Sequence, residues 1–307
     1  MTLQRRSYTA GHFELQIDGH TSTAYVKSVE GGHAKSTAVT EPVGPAVGRI
    51  KHSGPMEIDP ISLELGLAGS QDILKWVQDS WNRKYTRRNG QITHANFDLQ
   101  PTFEHQFSNA LITETTFPAL DGASKEAGYL KIKLQPESVA TSKTAGNAKI
   151  GGGHNAKQKL WLTSAFRFNI DGLDEMKYVN KLDSFTIKQG IKPVNIGQTR
   201  WPEFEPTKLE YPTISGTISL EYADKLMEWH KAVVLDGKTD PEHQKHGSIE
   251  FLSPDRKSTI FTVEMFYIGI SSLTVMPSRA NSDQIKRVKF ELYMENMKLD
   301  SSGPGLG

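Results

Sequence analysis

The chain contains one short motif twice, and this repetition limits the possible folds more than any other feature of the sequence. "FELQIDG" at residues 13–19 returns as "FRFNIDG" at residues 166–172. Phe166 follows Phe13 by 153 positions, about half of the 307 residues. Repetition at half the chain length indicates a duplicated domain, and a chain of this length suits two domains, each with its own core.

The similarity continues well beyond the motif. Residues 13–35 align without a gap against residues 166–188, with seven identities in 23 positions, where average composition gives roughly one or two. Trp76 and Trp229 keep the same spacing, and tryptophan is rare enough for this pair to count heavily. Further predicted equivalences are Leu99 with Leu252, Pro101 with Pro254 and, at an offset of 159, Phe107 with Phe266.

Each half has the hydrophobic pattern of a mainly β domain, with the predicted order β-β-β-α-β-β-β. Alternating apolar residues predict strands at residues 13–17 and 61–67. The apolar window at residues 259–276 contains Glu264 and several hydroxyl groups, so it is interpreted as a long strand rather than a membrane span. Strands are also predicted around Phe97 and Leu99. Two long excursions rich in Gly and Pro, residues 36–55 and 189–211, are predicted to be irregular loops.

One amphipathic helix is predicted in each half. In the first half Ser70 is the predicted N-cap, and Arg87 and Arg88 are predicted to end the helix. The second helix is predicted to stop at Gly237. The predicted apolar faces consist of Ile73, Leu74, Val77 and Trp81 in the first helix and of Leu226, Met227, His230, Val233 and Val234 in the second.

These patterns divide the chain into five parts. Residues 1–12 are a predicted N-terminal arm, residues 13–139 the first domain and residues 161–300 the second domain. Residues 140–160, with three consecutive glycines, have the composition of a flexible linker, and residues 301–307 form a similar tail.

The sequence offers no candidate for catalysis, cofactor binding or metal binding. Lys and Arg (36) nearly balance Asp and Glu (35), which argues against a nucleic-acid or anionic membrane surface, and cysteine is absent. No phosphate-binding loop or nucleophile motif occurs. His243 and His246 are interpreted as surface histidines because Pro241 and Gly247 bracket them as a loop. The basic cluster of Arg83, Lys84, Arg87 and Arg88 is interpreted as a solvated surface.

The order of these motifs resembles the tail tube proteins of contractile-tailed phages and contractile injection systems, including the haemolysin co-regulated protein of type VI secretion. The resemblance covers most of both halves, through "FELQIDG", "ISLELGL" and the first helix, and again through "FRFNIDG" and "FYIGISSLTVMPSR". It implies two tandem tail-tube-type β-barrels related by internal duplication. Ordinary tube subunits carry one such domain, so a ring of six domains would need only three of these chains.

The resemblance also implies a role and partners. The chain is expected to form stacked rings with copies of itself, as a pseudo-sixfold trimer or a double-layer hexamer, and to contact sheath and baseplate proteins. DNA or an effector would pass through the lumen without sequence recognition. Since no secretory signal or membrane anchor is visible at residues 1–16, the chain is expected to be made in the host cytoplasm and then built into a virion tail or injection particle.

Two alternatives stay open at this stage. One is a baseplate hub or tube-initiator component of the same machine, and the other is a monomeric two-domain β binding module. For the tube, the predicted core anchors are Trp76 and Trp229. The predicted axial contacts between rings lie in the two excursions and are Val43, Ile50, Trp201, Phe204 and Tyr211.

Overall fold

The protein is described here from a computed structural model. The structure describes residues 11–42, 44, 49–67, 69–144, 148–151, 161–277 and 285–303. In these ranges no helix is long and apolar enough to cross a membrane.

Within the described residues, the first repeat contains eleven strands and one α-helix. It begins with β1 (His12–Ile17), β2 (His20–Thr21), β3 (Val26–Gly31), β4 (Ala34–Pro42), β5 (Arg49–Ile58), β6 (Ile61–Gly66) and α1 (Gln71–Trp81). It continues with β7 (Arg88–Ala95), β8 (Pro101–Phe117), β9 (Leu120–Asp121), β10 (Tyr129–Gln135) and β11 (Ser138–Lys143).

The described part of the second repeat contains nine strands and one α-helix. Its elements are β12 (Phe166–Ile170), β13 (Val179–Leu182), β14 (Phe185–Val194), β15 (Glu203–Glu210), β16 (Ile214–Ser219), α2 (Asp224–His230), β17 (Lys245–Leu252), β18 (Thr259–Val275), β19 (Arg287–Tyr293) and β20 (Asn296–Asp300). A π-helical turn at Lys231–Leu235 extends α2.

Each repeat folds into a barrel-like antiparallel sheet covered by its helix. The sheet order is β2-β1-β7-β8-β10-β6-β3 in the first repeat and β12-β17-β18-β19-β16-β13 in the second. Strand alternation fills the interior: Ile61, Leu63 and Leu65 are buried while Ser62, Glu64 and Gly66 are only partly covered. The fold is therefore mainly β, with one helix in each repeat.

The two repeats agree in register, including their irregularities. β3 pairs with β6 with a bulge between Val26 and Ser28, and β13 pairs with β16 with a bulge between Val179 and Lys181, each 153 residues later. Because a β-bulge is a specific backbone feature retained within a family, matching bulges indicate a common origin of the two repeats. The left-handed backbone of Asn109 (φ 51°) likewise returns at Tyr267 (φ 55°).

The strand registers correct part of the alignment predicted from the sequence. Gly90 pairs with Phe107, and Gly247 pairs with Met265. The offset is thus 157 residues in β7 and 158 from β8 onward, so Phe107 corresponds to Met265 rather than to Phe266. The predicted pairs Leu99 with Leu252 and Pro101 with Pro254 are also wrong.

Both excursions are ordered β-hairpins rather than irregular loops. β4 pairs with β5 and β14 pairs with β15, with a register shift at the same position in both hairpins. Their prolines are compatible with this structure because proline is tolerated at bulges and on edge strands. Pro55 lies in the irregular part of its hairpin, between the paired residues Ser53 and Met56.

Three local predictions were also wrong. Phe97 and Leu99 lie in the tight turn between β7 and β8, where Phe97 is 72% exposed and Leu99 has φ 66°. Arg87 and Arg88 do not end α1, which stops at Trp81 because the chain turns through the left-handed Arg83. In the second helix Val234 is exposed, so it does not belong to the buried face.

The first residues of the predicted linker lie in a strand. Residues 140–143 are part of β11, which pairs with β8 as β20 pairs with β18, and Ile150 is buried. We propose that the first domain extends to Lys143. The described part of the chain does not include residues 152–160, which complete the predicted linker, nor residues 1–10 and 304–307 of the predicted arm and tail.

Candidate assembly surface

A strand of the second repeat joins the sheet of the first repeat. The start of β14, in the second repeat, pairs antiparallel with the end of β8, in the first, so that Phe185 lies opposite Phe117. The two phenyl rings stack with centroids 4.9 Å apart, and the hydroxyl oxygens of Thr116 and Thr186 are 2.8 Å apart. Backbone pairing with buried aromatic contact fixes the second repeat beside the first.

The hairpin β14–β15 extends this contact across the first repeat. Phe204 is 8% exposed, and its carbonyl oxygen accepts a hydrogen bond from Arg87 Nη2 at 2.7 Å. Its backbone N–H donates to Glu137 Oε1 at 3.2 Å, and Arg87 Nε donates to the same oxygen at 3.3 Å. One buried carboxylate and one guanidinium thereby satisfy the hairpin backbone, and charge-assisted bonds of this kind are stronger than neutral ones.

Further contacts between the repeats involve β9 and α1. β9 pairs with β13 through Leu120 and Leu182. On the helix side, Ser301 Oγ, just after β20, donates to Gln78 Oε1 of α1 at 2.8 Å. The interface therefore consists of a sheet edge, a hairpin and a helix face.

The predicted axial residues are placed differently from one another. Ile50 is 55% exposed and Trp201 is 36% exposed, at the ends of the first and second hairpins. Phe204 is buried against the first repeat, and the Tyr211 hydroxyl donates to Asn296 Oδ1 at 2.9 Å. Phe204 and Tyr211 therefore make contacts within the chain, and their side chains do not need a neighbouring ring to cover them. Val43 lies outside the described residues.

Trp76 and Trp229 occupy equivalent positions in their helices. Trp76 is 2% exposed and its Nε1 donates to the Thr86 carbonyl at 2.8 Å. Trp229 is 6% exposed and its Nε1 donates to the His243 carbonyl at 2.9 Å. Each indole lies between its helix and its sheet, with its polar N–H group satisfied.

The basic cluster is largely engaged in ion pairs within the chain. Lys84 pairs with Asp79 at 2.9 Å and Arg88 with Asp18 at 2.9 Å. Among the residues that the structure describes, no group of three or more His, Cys, Asp or Glu side chains is arranged to hold a metal ion.

Three histidines surround the base of the first hairpin. The His33 and His105 ring centroids are 5.4 Å apart, and His94 packs edge-on against Phe13 and Phe103. Burial lowers the pKa of His94 and of His105, and the neighbouring histidines lower both further. The hydrogen bond between His105 and the Gly32 carbonyl opposes this effect on the pKa of His105.

We expect replacement of His94 by phenylalanine to stabilise the protein in acid. Burial favours the neutral form of this imidazole in the folded state, so its contribution to stability is present above the ordinary pKa of 6.5 and is lost as the pH falls. Phe251 occupies the equivalent position in the second repeat, so the replacement suits the fold. Melting temperatures at pH 5.5 and pH 8 should show a larger gain at pH 5.5. His20→Ala, in the exposed strand β2, is the control. Equal gains at both pH values would contradict this explanation.

The sequence itself matches a known family over residues 9–140, and the model that matches describes the T4-like virus tail tube protein gp19. The first half of this chain is therefore similar to the tail tube family. The second repeat has counterparts of nine of the eleven strands, of the bulge and of the buried tryptophan, so the chain carries the tail tube fold twice. No curated protein sequence matches the chain.

Solved structures of injection systems are similar to one half of the chain at a time. A sheath-tube complex of the extracellular contractile injection system PVC, in its extended state, matches with 17% identity and a TM-score of 0.41, over 46% of this chain and 95% of that one. The tube-terminating cap of the anti-feeding prophage matches with 17% identity and a TM-score of 0.39, over 47% of this chain and 95% of that one. Hcp1 from Flavobacterium johnsoniae matches with 12% identity and a TM-score of 0.27, over 45% and 96%.

Proposed function

We propose that the protein is a structural component of a tube, in which each chain supplies two consecutive segments of the wall. Copies of the chain close into rings, and stacked rings form the inner tube of a contractile phage tail or injection system. DNA or an effector passes through the bore. The protein has no catalytic role in this proposal, in line with the structural character of the tail tube family.

The shared sheet between β8 and β14 is the observation that carries the proposal. Two domains joined edge to edge through a sheet lie side by side, as neighbours in a wall do, whereas a binding module with two independent domains needs no such junction. Lateral strand pairing also covers edges that would otherwise favour aggregation.

The duplication determines how many chains form a ring. If every lateral contact repeats the one inside the chain, a ring of six tube domains contains three chains and has pseudo-sixfold symmetry. A repeated heterologous contact gives a closed ring when its rotation closes. A double-layer hexamer would instead stack two such rings.

The remaining partners follow from this role. Sheath proteins surround the tube and baseplate proteins hold its end, and the chain is assembled into the particle after synthesis in the host cytoplasm. Ile50 and Trp201, exposed at the hairpin ends, are proposed as contacts between stacked rings together with Val43.

Negative-stain electron microscopy of the purified protein tests the proposal. Open-bored rings or tubes are expected. Single capped rings would favour a hub or initiator, and uniform monomers at high concentration would favour a monomeric binding module.

A further inference from the structure

The same sheet edge is covered in the first repeat and open in the second. Phe117, at the end of β8, is 1% exposed because Phe185 of β14 stacks on it and because Phe251 and Phe261 of the second repeat also pack against it. Its counterpart at the end of β18 is Val275, which is 52% exposed, and Met276 beside it is 41% exposed. Within the described residues this end of β18 pairs with β19 on one side only.

The helices show the same contrast. On α1, Trp81 is 5% exposed, and Ser301 from the second repeat contacts the neighbouring Gln78. The counterpart of Trp81 after α2 is Val234, which is 43% exposed, and the adjoining Leu235 is 71% exposed. Because two adjacent large apolar side chains are exposed here, we expect a partner to cover them.

A strand that fits the open edge lies at the other end of the molecule. β4 is the counterpart of β14, yet within the described residues it pairs with β5 alone. Ile187 in β14 is 1% exposed beneath the first repeat, whereas its counterpart in β4, Ala34, is exposed. Arg200 of the second hairpin donates to the Gly54 carbonyl of the first at 3.4 Å, but within the described residues no strand pairs with the edge of β4 that faces away from β5.

We propose that the start of β4 from one copy of this chain pairs with the end of β18 from the next copy. This inference rests on the proposed function and names the surface that closes its ring. Repeating the register of β14 on β8 places His33 opposite Thr274, Ala34 opposite Leu273 and Lys35 opposite Ser272, in an antiparallel ladder.

The polar groups beyond the ladder fit the same arrangement. Glu137 and Arg87 hold the backbone of Phe204, and their counterparts are Glu295, which is exposed, and Gln244, which donates to Glu295 at 3.2 Å.

In the first hairpin the counterpart of Phe204 is Lys51, also exposed. The carboxylate of Glu295 is then placed to accept a hydrogen bond from the Lys51 backbone, with the Lys51 ammonium group adding charge complementarity.

The contact is head to tail rather than self-complementary. One copy contributes its first domain and the next copy contributes its second domain, so each chain retains one free hairpin and one free edge until the ring closes. A dimer that buries the same residues on both copies would not satisfy either surface.

Engineered disulfides test the register, and the native chain contributes no competing cysteine. Under mild oxidation, His33→Cys mixed with Thr274→Cys should give a disulfide-linked dimer, whereas neither variant should dimerise alone. The double variant should give covalent oligomers up to the size of the ring. Thr116→Cys with Thr186→Cys is the matched control inside one chain, where the native hydroxyl oxygens are 2.8 Å apart, and it should form a disulfide within the monomer.

A second variant tests the same contact without depending on disulfide formation. Val275→Glu introduces a charge on the exposed edge and should abolish rings without lowering the melting temperature, because this side chain is 52% exposed in the free chain.

The following results would overturn this inference and leave the proposed function intact. The control pair oxidises efficiently and rings form, yet the His33→Cys and Thr274→Cys variants do not crosslink and the rings tolerate Val275→Glu. Homodimers of His33→Cys alone would also overturn it, since they indicate a self-complementary contact. Absence of rings in the unmodified protein would instead count against the proposed function itself.

Discussion

Replacement of Trp76 by alanine is expected to lower the free energy of unfolding by about 3–5 kcal/mol. The indole is 2% exposed beneath α1, and the substitution removes its packing and leaves the Thr86 carbonyl without its donor. Trp229→Ala should have an effect of similar size, because Trp229 has the same burial and the same type of hydrogen bond in the second repeat. In thermal melts each variant should lose on the order of 10 °C.

Two control variants separate packing from the hydrogen bond. Trp76→Phe keeps an aromatic ring and loses the donor, so its cost should be smaller than that of Trp76→Ala. Trp201→Ala, at the 36% exposed end of the second hairpin, should change the melting temperature far less. If Trp201→Ala destabilised the protein as strongly as Trp76→Ala, burial under the helix would not be the source of the effect.

Removal of the first hairpin should abolish assembly while leaving the domains folded. Gly32 donates to the Asp59 carbonyl at 3.2 Å across the base of this hairpin, so a two-residue Gly-Ser link can replace residues 33–58, which include the proposed ladder residues. Most side chains in this hairpin are exposed, so few stabilising contacts are lost. Size-exclusion chromatography with light scattering should then give a monomer whose circular dichroism retains the strand signal.

The second hairpin provides the matched comparison. Replacing residues 190–208 in the same way removes the contact of Phe204 with Arg87 and Glu137. This variant should lose stability as well as assembly, since it leaves the carboxylate of Glu137 without the backbone N–H of Phe204. Normal rings from the variant without the first hairpin would show that ring closure uses another surface.

The sequence was sufficient to predict the repeat, several strands of each barrel and the equivalent positions of the two tryptophans. These features depend on local signals: alternation at Ile61, Leu63 and Leu65, and one rare residue type at a constant offset. The mainly β fold with one helix in each repeat is confirmed.

The hairpins could not be predicted by the same reasoning. Their strands are largely exposed and lack the alternation that marks a half-buried strand, and Pro55 lies within one of them. Proline argues against a central strand but not against a two-stranded arm with a bulge.

The contact between the repeats has no signature in the sequence. It joins Phe117 and Phe185, which are 68 residues apart, and their counterparts are Val275 and Gly32, which resemble neither. Only the strand registers reveal that these four residues belong to one repeated arrangement. The same registers identify Glu137, which composition gave no reason to single out among 35 acidic residues.

The most direct test of the central claim is a cryo-electron microscopy reconstruction of the purified ring without imposed symmetry. The account predicts three chains of 34.2 kDa around an open bore, six barrel-like domains alternating between first and second repeats, and the first hairpin of each chain paired with β18 of the next. A single-layer ring of six chains with twelve domains, or rings in which the first hairpin contacts no neighbouring second domain, would contradict it.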